Sequence, residues 1–306
     1  MLDFYYSILN SFSDRDGVIY RYLYKILKVL LNIFFPIGYK KKVPMRGKIC
    51  EDEVIVSVTT YPARIDTVWQ TVYTLLNQSV RATKVILWLA ESQFESFESL
   101  PYSLKRLTDY GLEIKFCEDL KSHKKYFFAM KQYPNAIVIT ADDDVYYPMD
   151  WIEKILEKHR QYPDAVCCYW AHRIVIESGK IVSYNQWEKC IKDGNTEPSD
   201  LVLPVGYAGV LYPPHTLDER AFEKELIKEL SLSADDLWLK AMSYLNGKKA
   251  ILVFPDPVKY FAVIKAQRTS LFQTNVGQNV NDTVLNNILQ HFEELNSFTG
   301  KNQEKQ

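Results

Sequence analysis

The sequence predicts an α/β fold built on a mostly parallel central sheet. Three observations carry the prediction. Short apolar runs rich in β-branched residues, at 53–60 (EVIVSVTT), 84–89 (KVILWL), 112–116 (LEIKF) and 137–139 (IVI), alternate with helical stretches at the spacing of βαβ units. The fourth run leads straight into three adjacent carboxylates, Asp142, Asp143 and Asp144, before Pro148 blocks its continuation. In open α/β sheets, ligands bind at that end of the strands. A chain of 306 residues is also long enough for one large α/β domain.

Composition narrows the function classes. The chain is 47% hydrophobic and 25% charged, ordinary for a globular protein, and its net charge of −1 provides no field to draw it to nucleic acid. The 21 tyrosines lift the aromatic share to 14%, which suits carbohydrate or interface contact. The five cysteines are Cys50, Cys117, Cys167, Cys168 and Cys190; with no CxxC pair they suggest neither a disulfide framework nor a zinc site, and a reducing compartment is expected. The first residues have no basic region followed by an apolar core, so no signal peptide is expected.

Residues 18–35 (VIYRYLYKILKVLLNIFF) form the first element. Arg21, Lys25, Lys28 and Asn32 recur at spacings of four, three and four, on one stripe of a helix that Pro36 should close. Lys40, Lys41 and Lys42 follow. A narrow basic stripe beside a wide apolar face describes a helix lying in a membrane interface, and adjacent lysines favour an anionic leaflet. A spanning helix needs about 20 residues with few charges, which the cations oppose. Packing on the protein's own core or on a partner is the competing expectation.

After the strand at 53–60, Tyr61-Pro62 breaks the chain, Asp66 can cap the next helix, and Val68, Val72, Leu75 and Leu76 share its inner face. A helix over 126–133 precedes the acidic strand. Beyond Pro148, a helix over 151–162 turns Ile152, Ile155 and Leu156 inward. Strands are expected at 165–170 and 173–176, with Gly179 in a turn. Residues 189–198 and 206–214 read as loops, the second with two glycines and two prolines. Ser233 can cap a helix that opens on Asp235 and Asp236, 250–254 is a last strand, and 297–306 reads as a flexible tail. The expected organisation is a membrane-associating segment at 1–46, one catalytic domain at 47–296, and the tail.

Three like charges in a row repel unless a cation lies among them. Oxygen ligands suit Mg²⁺ or Mn²⁺. A solvated acidic turn would also accommodate them. A calcium loop would want glycine where Tyr147 stands, and a phosphatase-type aspartate nucleophile would want threonine near Tyr146. A metal–diphosphate site is the remaining reading beside the solvated turn, and the rest of the chain must decide between them.

Taken together, VSVTTYPARI, LLNQS, DLKSHKKYFFAMKQYPNAIVITADDDVYYP, WAHRI, GYAGVLYPP, ADDLWLK and NDTVLNNIL, in this order over 54 to about 292, resemble a GT-A fold glycosyltransferase of the family 2-like bacterial group. The resemblance implies a Rossmann-like nucleotide-diphospho-sugar fold and a metal-dependent transfer from a nucleotide sugar, a UDP-sugar, to a glycan or lipid-linked acceptor in surface polysaccharide or lipopolysaccharide synthesis. It implies inversion; the helix at 18–35 with its basic stripe adds the expectation of a peripheral location on the cytoplasmic face of the cell membrane. Asp142–Asp144 match the DxD motif, with Asp144 the first implied metal ligand, Asp142 nearer the ribose or the metal, and Asp143 beside them at the nucleotide sugar. Thr59, Tyr61 and Arg64 fall where the family's loop meets the nucleotide. Lys124 or Lys125 falls at a nucleotide or diphosphate position. Asp235 and Asp236 match the acidic pair of the acceptor-side helix, with Asp236 the implied general base; Asp at 235 departs from the family's usual Glu, which leaves the choice between the two open.

The chemistry agrees with these roles: inverting transfer needs a base for the acceptor hydroxyl and a cation for the leaving diphosphate. Helix capping is the competing role for Asp235. His172, Arg173, Gly206, Gly209, Lys265 and Arg268 are further candidates for acceptor or diphosphate contact, each with a plain structural alternative. Trp170 and Trp187 could stack on sugar faces or simply fill the core. Two other functions fit the same sheet: a sugar-phosphate nucleotidyltransferase, disfavoured because the loop TTYPARI has no glycine, and a non-catalytic carbohydrate-binding protein.

Overall fold

The computed structural model describes residues 2–11, 17–44, 47–192, 197–255, 259–267 and 280–295. In chain order its principal elements are α1 (Leu2–Asn10), α2 (Val18–Tyr39), β1 (Val54–Thr59), α3 (Val68–Leu76), β2 (Lys84–Ala90), β3 (Leu112–Cys117), α4 (Lys124–Gln132), β4 (Ile137–Ala141), α5 (Trp151–Gln161), β5 (Val166–Cys168), β6 (Val210–Tyr212), α6 (Asp235–Leu245), β7 (Ala250–Leu252) and α7 (Val280–His291). Seven strands form one sheet in the order β7-β5-β6-β4-β1-β2-β3. Only β6 runs against its neighbours; β1, β2, β3 and β4 pair in parallel, as do β5 and β7. The expected α/β architecture with a mostly parallel sheet is therefore what the chain adopts.

The period of two along each strand divides the core. Val54, Val56 and Val58 of β1 join the cluster that contains α1, α2, α3 and α5, whereas Ile55 faces the opposite side, where α4 packs. A second large cluster gathers α4, α6 and α7 against Val166, Val210 and Leu252. Helices thus cover both faces, which is why the central strands read as continuous apolar runs.

Several local expectations are corrected. Pro36 does not close the first long helix: α2 continues to Tyr39, where the Phe35 and Tyr39 rings stack at 4.6 Å and Lys40 N–H donates to the Pro36 carbonyl at 3.2 Å. Neither Asp66 nor Ser233 is the N-cap; α3 follows Thr67 and α6 follows Ala234, without side-chain caps. The largest correction is 206–214. This glycine- and proline-flanked stretch contains β6, a buried strand between β4 and β5. Three apolar residues are too few for a period to register, and the long-range pairing decides. Strands at 171–173 and 176–177 replace the expected strand over 173–176, and Gly179, at φ 75°, makes the hairpin turn as expected. The expected tail lies outside the described residues.

Candidate active site

Asp142, Asp143 and Asp144 leave the carboxyl end of β4, in the middle of the sheet, and the structure gives them different neighbours. Thr60, just past β1, donates from Oγ1 to Asp143 Oδ2 at 2.5 Å. Arg64, in the turn Pro62–Arg64, meets Asp143 Oδ1 at 2.5 Å and Asp144 Oδ2 at 3.3 Å. Thr71 of α3 donates to the Asp143 carbonyl at 3.0 Å. Asp143 is thus bound into the scaffold through both carboxylate oxygens and its backbone. Burial raises its pKa, and Arg64 and Thr60 pull it part of the way back.

Asp142 is half-buried, and Asp144 is buried with Arg64 at its Oδ2. The Asp142 N–H donates to Tyr147 Oη at 2.9 Å, and the Asp144 carbonyl accepts from Val263 N–H at 2.7 Å, so both backbones are fixed. Burial, then the neighbouring Asp142 and Asp143, push the Asp144 carboxyl up to about 7. A carboxylate held this high has too little positive charge around it.

Lys125 links this cluster to the second. Ser57 Oγ of β1 donates to its backbone carbonyl and accepts from Trp88 Nε1 at 2.9 Å, which fixes the start of α4 over the sheet. From there the Lys125 ammonium lies 2.9 Å from Asp142 Oδ1 and 3.4 Å from Asp235 Oδ2. Burial would lower its pKa, but Asp142, Asp235 and Asp236 outweigh that and keep it charged. Asp235 and Asp236 open α6, and α6 is registered against α4 by His123, whose Nε2 contacts the Ser231 carbonyl at 2.8 Å.

The two members of this pair also diverge. Burial raises Asp235, but Lys125 and His123 overcome it and the net shift is downward. Asp236 is raised well above the ordinary range by burial and then by Asp235. Its Oδ1 accepts from Gly206 N–H at 3.1 Å. A methyl group on Gly206 would stand 3.2 Å from Asp236 Oδ1, 3.3 Å from Lys125 Nζ and 3.7 Å from Asp142 Oδ1. Gly206 is therefore the floor at which the two acidic clusters converge.

Other candidates lie elsewhere. Lys124 turns to Asp119 at 2.6 Å, so Lys125 is the lysine of the pair that reaches the carboxylates. Thr59 spends its hydroxyl on the Trp88 carbonyl at 2.8 Å, and the Tyr61 ring faces the Arg64 guanidinium at 5.4 Å. His172 Nδ1 accepts from Cys190 N–H at 3.2 Å, and Arg173 pairs with Glu188 at 2.8 Å. Gly209, at φ 106°, supports Trp151: a Cβ there would fall 2.3 Å from Cζ2. Trp187 is buried beside Tyr184, and Trp170 stands half-buried against Tyr207 at 5.5 Å. Lys265 is exposed on the short helix Ile264–Gln267, and Arg268 lies outside the described residues. A cavity of about 650 Å³ lies between α1 and α5 and is lined by Tyr6, Met149, Trp151 and Tyr260 among others, but by none of the five site aspartates.

Sequence reasoning missed Thr60, Ser57, Gly206's contact with both clusters, and Lys28. Lys28 comes from α2; burial lowers its pKa, and Asp144 pulls it part of the way back. Its signal was present: a polar residue four positions from Asn32 in an otherwise apolar helix.

Among the described residues, no three His, Cys, Asp or Glu side chains converge as a metal cage. The donor set still fits a hard cation: Asp142 and Asp144 would supply oxygen ligands, and Mg²⁺ is commonly held by one or two carboxylates plus substrate phosphates.

No family model and no curated protein matches the sequence. Solved structures do. A mannosyltransferase from Pyrobaculum calidifontis, in complex with GDP-Man and Mn²⁺, is 16% identical over 75% of this chain and 65% of its own, with a TM-score of 0.40. S. aureus TarS 1–349, in complex with UDP, is 15% identical over 68% of this chain and 59% of its own, with a TM-score of 0.42. A 4-diphosphocytidyl-2C-methyl-D-erythritol synthase is 8% identical over 70% of this chain and 93% of its own, with a TM-score of 0.38. This chain thus spans less than two thirds of the mannosyltransferase and of TarS.

Proposed function

We propose that the protein is a GT-A type glycosyltransferase that moves a sugar, with inversion, from a UDP-sugar to a hydroxyl of a glycan or lipid-linked acceptor. The observation that carries this reading is the convergence of Asp142, Asp235 and Asp236 around Lys125 and Gly206, with Asp144 two residues away at the end of the same strand. A divalent cation held by Asp142 and Asp144 would neutralise the diphosphate as it leaves.

The chain's own groups do the rest. Asp236 takes the proton of the acceptor hydroxyl as that oxygen bonds to the anomeric carbon, and the diphosphate departs with the electron pair of the broken bond. A base works best with its pKa near the operating pH, and the raised Asp236 fits that demand better than Asp235, which Lys125 and His123 hold low. Lys125 keeps the clusters compatible while neither partner is bound. Arg64 and Thr60 hold Asp143 in place between Asp142 and Asp144. Thr59, Tyr61, Lys124, His172, Arg173, Gly209 and Lys265 have neighbours of their own and are assigned no chemical step.

A nucleotidyltransferase is disfavoured because Arg64, the one cation of its loop, is committed to Asp143 and Asp144. A binding module would not need a base with a raised pKa. The acceptor class, surface polysaccharide or lipopolysaccharide, and action at the inner face of the membrane are supported by α2, whose geometry follows below. The test is calorimetry of UDP-sugars with and without Mn²⁺, on the native protein and Asp144→Ala. Metal-dependent binding of one donor, lost in the variant, is expected. No nucleotide binding in the presence of metal would overturn the reading.

A further inference from the structure

The helix α2 has two faces with different partners. Its buried edge, Leu27, Leu31 and Phe35, belongs to the same cluster as β1. Beside that edge Tyr24 Oη donates to the Tyr260 carbonyl at 2.8 Å, and Lys28 donates to Gln267 at 2.8 Å. Asn32 donates to the Ala262 carbonyl at 3.0 Å and accepts from Ile264 N–H at 2.8 Å. So part of the polar stripe read from the sequence turns inward, onto the segment whose Val263 N–H holds Asp144.

The opposite face carries Ile19, Tyr22, Ile26, Val29, Ile33 and Ile37, and is bare. Ile19 is 74% exposed, Ile26 56% and Ile37 76%. These positions recur every three or four residues, so they form one apolar strip about 27 Å long. A strip of this size on a water-soluble surface marks an interaction site. Exposed Arg21 and Lys25 border it near the start of the helix, and exposed Lys40, Lys41 and Lys42 follow its end. α2 contains no acidic residue.

We infer that this face of α2 docks on an anionic lipid bilayer, lying in the interface with its long axis in the membrane plane. The basic border identifies the occupant. Cations flanking a bare apolar strip match an apolar layer under a negatively charged surface. A second copy of the chain does not match: two-fold pairing of antiparallel α2 helices would set Arg21 and Lys25 against Lys40–Lys42 of the other copy, with no acid on either helix to offset them. Spanning is not available either, since among the described residues no helix is long and apolar enough to cross a membrane, and the inner edge of α2 is packed against the domain. Because that inner edge holds the segment carrying Val263, the docked helix sets Asp144 about one helix diameter from the lipid surface. This last step rests on the transferase reading; the docking does not.

The test is co-sedimentation of the full chain, without donor or metal, with vesicles of phosphatidylcholine alone and of phosphatidylcholine mixed with phosphatidylglycerol. Binding to the anionic vesicles is expected to be at least about tenfold tighter and to weaken as salt is raised. Ile26→Glu with Ile33→Glu should abolish it while the thermal unfolding midpoint is kept, because these side chains already face water. Lys40→Glu with Lys41→Glu should remove the preference for anionic lipid. Equal affinity for both vesicle types, or no effect of the Ile26/Ile33 pair, would overturn the assignment. So would a dimer in analytical ultracentrifugation that the Ile26/Ile33 pair dissociates. Vesicle binding is read without catalysis, so its failure leaves donor binding to be judged separately.

Discussion

The two acidic clusters solve the same electrostatic problem with different partners. At 142–144 one carboxylate of the run, Asp143, is fastened by Arg64 and Thr60, while Asp144 is left with a pKa pushed up to about 7 by burial and its neighbours. At 235–236 the first carboxylate is held low by Lys125 and His123, while Asp236 is raised by burial and by Asp235. In each cluster a cation from a distant part of the chain sits closest to one acid, Arg64 to Asp143 and Lys125 to Asp235, and the next acid, although within its field, stays raised. The difference is the direction of need. In the proposed reaction Asp142 and Asp144 would hold a cation, whereas Asp236, beside Gly206, would take a proton.

Two substitutions break this comparison from opposite ends. Asp236→Asn keeps an acceptor for Gly206 N–H but removes the base; the expected outcome is a loss in kcat of about 10²–10⁴ with little change in donor affinity. Steady-state transfer rates beside donor calorimetry check it, and an unchanged kcat would remove Asp236 from the chemistry. Arg64→Met acts on the scaffold. It leaves Asp143 buried without its ion pair, and destabilisation of about 3–5 kcal/mol is expected in denaturant unfolding. Adding Asp143→Leu should restore part of that loss, because the buried charge closest to Arg64 is then gone while Asp144 still lacks its contact.

His172 sharpens the contrast, since its titration has no opposing charge to balance it. Burial and then Lys189 lower its pKa from 6.5 to about 4. The folded protein therefore binds fewer protons than the unfolded chain between those values. The stability this reflects is full above pH 6.5 and is lost as pH falls through 4, a difference of about 3 kcal/mol. Unfolding of the native protein and His172→Gln should diverge over that window and run parallel above it. Lys189, lowered to about 8, contributes only at higher pH and does not blur the result.

The sheet was legible because its central strands are buried on both faces and read as unbroken apolar runs. β6 was not, because three residues between glycine and proline carry no period, and only pairing with β4 and β5 makes them a strand. Both acidic clusters could be picked out by residue type. That Lys125, and not Lys124, would join them depends on how Ser57 and Trp88 fix the first turn of α4, a contact between distant segments. The polar stripe of α2 was visible, but not its direction: spacing places Lys28 and Asn32 on one side of a helix without saying which side the domain occupies.

Gly206 gives the smallest effect and the finest test of how closely the clusters approach. In Gly206→Ala the new methyl would sit 3.2 Å from Asp236 Oδ1 and 3.3 Å from Lys125 Nζ, so each must give by a few tenths of an ångström. No left-handed φ is required at this residue, and the fold should tolerate the change. A displacement of that size between a base and the group it serves is expected to cost about tenfold in kcat/KM. Gly209→Ala, three residues on, is the control. There φ is 106° and the methyl would fall 2.3 Å from a Trp151 ring that is buried and cannot swing aside, so stability should drop by about 1–3 kcal/mol. If Gly206→Ala unfolds the protein as Gly209→Ala does, Gly206 is a packing glycine. If it lowers transfer at unchanged stability, the distance between the acidic clusters is part of the chemistry.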